Sequence, residues 1–107
     1  MKPSEILIAA RTLLETKGWT QDAMARDISG IAVSCHDPRA TCFCALGATG
    51  KVLGPNRYIT ILYGHEQYMY DVFDGIPSST NDAEDTHMLD VLIAFDFAIL
   101  MAQDNGD

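Results

Sequence analysis

The stretch from Asp85 to Ala102, DTHMLDVLIAFDFAILMA, constrains the fold more than any other part of the chain. On a helical wheel Met88, Leu92, Phe95 and Ile99 form one apolar stripe. Leu89, Ile93 and Leu100 form a second, and Val91, Ala94, Ala98 and Met101 fill most of the remainder. A helix apolar all round is normally enclosed by other elements, so a central core helix is expected. Its roughly 18 residues approach a bilayer span, but Asp90 and Asp96 inside it oppose that reading. Asp85 or Thr86 is placed to cap the first turn. The acidic run Asp82, Glu84, Asp85 suits the positive end of the helix dipole. Asp96 projects into the apolar face, where a carboxylate needs a partner or a proton.

The chain's 107 residues suffice for one domain, 1–107, with one modest core. An apolar fraction of 48% excludes disorder throughout. The formal charge of −8 is unevenly spread: up to Leu53 six basic residues meet five acidic ones, whereas from Gly54 onward Arg57 alone faces ten carboxylates. Such an acidic half disfavours contact with nucleic-acid phosphates and favours a basic protein partner. Three cysteines, two of them close together, do not make a disulfide framework. With no basic-then-apolar leader at the start, a reducing cytoplasm is the expected compartment and no membrane association is expected.

Read in order, the pattern is that of a mainly α (α+β) domain. Ser4 can cap a first helix carrying Ile6, Ala10, Leu13 and Leu14. Gly18 is a left-handed end for it, with Trp19 folding back on the last turn. Two short alternating runs around Ser29-Gly30 suggest a small β-hairpin between Met24 and Val33. Asp37-Pro38 reads as a helix start, opening a second helix over Arg39 to Val52 whose small residues admit a close neighbour. Arg57 to Phe73 fits an interrupted helix, although RYITILY has strand propensity. The segment from Asp74 to Ala83 reads as a loop, and the tail from Asp104 is expected to fray.

Cys35, His36, Cys42 and Cys44 invite two chemical readings. Zinc sites present paired ligands on a turn. Cys42 and Cys44, read as helical, would point about 200° apart, so no metal is expected. A Cys–His nucleophile pair would need an orienting third residue that the sequence does not specify. Core packing accounts for these cysteines better, and His65 and His87 read as surface residues. The Asp82, Glu84, Asp85 cluster lacks the calcium-loop spacing. There is no Walker loop, dinucleotide fingerprint or nucleophile elbow, so no cofactor is expected.

Three stretches in order, GWTQDAMARD (Gly18 to Asp27), DPRATCFCALGA (Asp37 to Ala48) and NDAEDTHMLDVLIAFDFAI (Asn81 to Ile99), resemble an uncharacterised bacterial and phage family known only as a domain of unknown function. Its members show GWTQ-x-A-x-AR(D), DP…C-x-x-GA and WNDA…T…VL…D-x-AI; Thr80 stands here where that tryptophan would be. The resemblance covers most of the chain outside Lys51 to Ser79. It implies a small helix-rich domain of bacterial or phage origin, and no reaction. Because Arg26 and Asp96 both lie in these stretches, and an arginine fork can satisfy both carboxylate oxygens, Arg26 is the expected partner of Asp96. Trp19 Nε1 or backbone N–H groups are the alternatives.

The functional expectation is therefore a non-enzymatic acidic interaction module. Its working surface would be Asp71, Asp74, Asp82, Glu84 and Asp85, with Trp19, Arg26 and Asp96 structural. A phage-encoded inhibitor that occupies a basic nucleic-acid-binding surface of a host complex, in the manner of anti-CRISPR or anti-restriction proteins, fits this size and charge by analogy. The alternative is a small enzyme or a ligand- or metal-binding domain using Cys35 to Cys44.

Overall fold

In the computed structural model, which describes residues 2–55, 67–69 and 77–107, helix α1 (Pro3–Lys17) is followed by short strands β1 (Ala25–Arg26), β2 (Ala32–Val33) and β3 (Cys42–Phe43). Helices α2 (Ala45–Leu53), α3 (Pro77–Asn81) and α4 (Met88–Asp104) come after them. The fold is mainly α with a small antiparallel sheet in the order β2-β1-β3. Among the described residues, no helix is long and apolar enough to cross a membrane.

Pro3 opens α1 at a position whose N–H a helix leaves unpaired in any case. Ser4 therefore lies inside the first turn, instead of capping it. Ile6, Leu7, Ala10 and Leu14 recur at helical spacing and are fully buried. This face packs against both α4 and α2, which makes α1 the shared wall of the core. Gly18 ends the helix at φ +126° and ψ 163°, outside the left-handed helical region, and its N–H still reaches the Leu14 carbonyl. The chain then runs on to pair with β3 through Trp19, which bridges Phe43 in parallel.

The expected hairpin is present, with Ala25 opposite Val33 and Arg26 opposite Ala32. Its turn is built by Asp27, whose Oδ1 accepts from the N–H groups of Ser29 (2.9 Å) and Ile31 (3.0 Å). Gly30 supplies the positive φ of +83°. The third strand was not expected, and it replaces the first turns of the helix read from Asp37-Pro38. Asp37 Oδ1 accepts from its own neighbour's backbone, Arg39 N–H, at 2.8 Å, and Ala40 N–H closes on the Asp37 carbonyl. The capping chemistry is there, but it makes a turn. Cys42 and Phe43 then pair with β1, and Cys44 caps α2 through a Gly47 N–H to Sγ contact of 3.2 Å. Gly47 allows α2 to lie against the chain entering β1: a Cβ there would fall 1.8 Å from the Met24 carbonyl oxygen.

α4 begins at Met88, three residues later than the sequence suggested. His87 N–H donates to Asp90 Oδ2 at 2.9 Å, while the Thr86 hydroxyl donates to the Thr80 carbonyl. The helix buries Val91, Leu92, Phe95, Ala98 and Ala102. It is not enclosed: Leu89, Ile93, Phe97, Leu100 and Met101 are exposed. The tail does not fray either. Ser4 N–H and Oγ both donate to the Asp107 carbonyl (3.1 and 3.0 Å), and Tyr68 donates its hydroxyl proton to the Asp107 carboxylate. With Arg11 reaching Asp96 midway along, α1 and α4 run antiparallel. The loop expected before the last helix contains α3. The helix expected over Arg57 to Phe73 lies outside the described residues apart from 67–69, which are helical with Tyr68 and Met69 buried.

Two outcomes follow from this geometry. Gly47→Ala should lower stability by about 3 kcal/mol or more, since the clash is with backbone; an unchanged urea midpoint would mean that the chain at Met24 can step back freely. Arg39, through its side chain and then its N–H, holds the Asp37 carboxyl at about 2, below its ordinary 3.8. The stabilisation is thus present above the ordinary value and disappears as pH falls through about 2. An NMR titration of Asp37 should show that low midpoint, and Arg39→Ala should return it upward.

Candidate functional site

Side chains from three distant segments converge where α1 ends and α4 is about to begin. Asn81, at the end of α3, is fully buried. Its Oδ1 accepts from Trp19 Nε1 (2.7 Å) and from the Ala45 N–H (3.0 Å). Its Nδ2 donates to the Thr20 carbonyl (3.1 Å) and to Asp82 Oδ1 (2.9 Å). Two donors and two acceptor positions are all used, the condition under which a buried amide is stabilising. Gln21 Nε2 donates to the carbonyls of Asn81 (3.0 Å) and Ala83 (2.9 Å) and lies 3.3 Å from that of Thr86. Asp22 N–H donates to Asp82 Oδ1 at 2.9 Å, which fixes Asp22 at φ +63°; among the described residues it is the one non-glycine with positive φ.

This arrangement corrects several expectations. Trp19 Nε1 donates to Asn81 and not to Asp96. Arg26 does not meet Asp96: its guanidinium donates to Thr20 Oγ1 and to the carbonyls of Gln21 and Gly30, bracing the hairpin. Asp96 points outward, about half exposed, and pairs with Arg11: Nη2 donates to Oδ2 at 3.3 Å, and Nε lies 2.6 Å from Oδ1 as an ion pair without the alignment of a hydrogen bond. Arg11 also holds Glu15 at 2.5 Å.

Of the expected working surface, Asp71 and Asp74 lie outside the described residues. Asp82 is committed to Asn81 and Asp22, whereas Glu84 and Asp85 are exposed. Asp90, Asp96 and Asp104 extend this exposed acidity along α4. Between them lies an apolar strip that periodicity alone places in the core. Leu89 (65% exposed), Ile93 (43%), Phe97 (59%) and Leu100 (57%) face away from the buried side. At 3.6 residues per turn they fall within about 40° of Ile93, with Asp90 and Asp96 about 60° to either side. The all-round apolar wheel was the signal; it did not say which face lay outside.

The Cys/His segment is split up by the fold. Cys35 and Cys44 are buried and Cys42 is half-buried; all three are free thiols. Burial pushes the Cys35 and Cys44 thiols up, leaving the protonated, less nucleophilic form at neutral pH. Among the described residues no group of three or more His, Cys, Asp or Glu could hold a metal ion. Cys35 and His36 line, with Asp22, Met24 and Val33, an open cavity of about 630 Å³ beside the end of α2.

A family model of unknown function matches residues 1–100. The chain belongs to DUF6197. Neither a curated protein nor a solved structure matches it. In this DUF6197 chain Asn81→Ala should destabilise by about 3 kcal/mol or more. Each buried group left unpaired costs about 1–3 kcal/mol, and Trp19 Nε1, Ala45 N–H and the Thr20 carbonyl all lose a partner. Urea unfolding followed by Trp19 fluorescence measures this; a loss below about 1 kcal/mol would show that water replaces the amide.

Proposed function

We propose that this DUF6197 protein is a non-enzymatic, acidic interaction module that captures a basic protein surface. The observation that carries the reading is the line of exposed carboxylates Glu84, Asp85, Asp90, Asp96 and Asp104, which runs from the turn before α4 to the helix's far end. Arg11 neutralises one of them, Asp96. Like charges held in a row repel one another, and a cationic surface relieves that repulsion while steering the encounter. An inhibitor of phage origin, acting in the bacterial cytoplasm on the nucleic-acid-binding surface of a host complex, is the biological form that this charge and size suggest.

A second reading, a ligand-binding or enzymatic role, is favoured by the cavity beside Cys35 and His36. Native mass spectrometry of the purified protein separates the two readings, since a retained small molecule or metal would favour the second.

The charge reading is tested with Glu84→Lys, Asp85→Lys and Asp104→Lys together. Asp82 and Asp90 are left alone because one joins the Asn81 network and the other closes the first turn of α4. The triple variant should fold normally and lose at least tenfold in association rate, at low salt, with the protein that the parent pulls down from host lysate, converging on the parent at high salt. Equal capture by parent and variant at low salt would sink the proposal.

A further inference from the structure

The outward strip of α4 adds a second observation to the charge. We infer that α4 docks lengthwise in an apolar groove on the partner protein, and that lysine or arginine side chains rim this groove along the wall facing Asp90 and at its two ends. The inference rests on the acidic-module reading and goes beyond it by naming the contact and its chemistry.

Leu89, Ile93, Phe97 and Leu100 stand at i, i+4, i+8 and i+11, the spacing by which a helix seats anchors in a groove. They span about 16 Å of helix at a rise of 1.5 Å per residue. Val91, Leu92, Phe95, Ala98 and Ala102 fix the opposite side of α4 in the core, so the strip is already presented on a rigid helix. Little ordering is left to be done on binding. Among the described residues, no packing accounts for four large side chains left facing out along one line, where single exposed apolar residues would need no explanation.

The occupant is chosen by charge. Asp90 and Asp96 flank the strip, Glu84 and Asp85 precede it, and Asp104 closes its far end. A groove that accepts the strip therefore meets Asp90 along one wall and Glu84, Asp85 and Asp104 at its ends, while Asp96 on the other wall is held by Arg11. A second copy of this chain would set these carboxylates against their own kind, and an anionic lipid surface would do the same. A groove with cationic rims is the complement.

The test replaces Phe97 with photoreactive benzoylphenylalanine in the full chain, expressed in its native cells, with the same probe at Glu84 and, as a control, at the hairpin residue Ile28, which is 91% exposed. The position-97 probe should crosslink to one protein, at apolar residues bordered by lysine or arginine, and the position-28 probe should not. Adding Ile93→Asp should cut that crosslink at least tenfold with an unchanged melting temperature; if that variant melts early, Leu100→Gln gives the same readout. Crosslinks to a second copy, to lipid, or to a groove without basic rims would overturn the inference. Capture at position 84 but not at 97 would overturn it while leaving the acidic reading intact. Capture at neither position would remove both.

Discussion

The fold hangs on one buried carboxamide. Asn81 joins the segment after α1, the start of α2 and the approach to α4, and does so with every hydrogen-bonding position on its side chain in use. An apolar residue of similar size could fill the space, but it would leave an indole N–H and backbone groups without partners in a site closed to water. Gln21 repeats the device from the opposite segment, holding backbone carbonyls of the α3–α4 connection. Polar groups thus set the path of the chain here, and apolar burial around α1 supplies most of the stability.

That division of labour explains how a chain with such short strands keeps a sheet. Two-residue strands hold little by themselves. They are held because α2 presses against the Met24 backbone through the gap at Gly47, and because Arg26 ties the hairpin to the Trp19–Gln21 segment. The sheet is a clasp between helices.

Much of this was legible in the residues. The first helix, the hairpin and the existence of the C-terminal helix all follow from periodicity and turn chemistry. What failed did so for physical reasons. Asp37 can satisfy a helix start or a turn with the same side-chain bond, and local sequence does not choose between them. Asp96 meets Arg11 and not Arg26, because spacing along the chain carries no information about which of two cations a fold brings near. The apolar wheel of α4 suggests enclosure, yet among the described residues one face of it, with Leu89, Ile93, Phe97 and Leu100, is exposed, and hydrophobicity alone cannot say whether a face awaits its own chain or another. Of the candidate site, the acidic run was legible but its division was not: Glu84 and Asp85 are exposed, while Asp82 is bonded to Asn81 and Asp22, a difference that three nearby carboxylates in a sequence do not reveal.

The bond from Ser4 to the Asp107 carbonyl has a mechanical consequence. Because α1 and α4 are antiparallel and this clasp joins them at one end, tension on residues 4 and 107 would not slide the helices past each other. It would part them like a zipper, loading the clasp first and then each core layer in turn, with Arg11–Asp96 met midway. Pulled apart at these two residues, the pair of helices would therefore resist only one contact at a time.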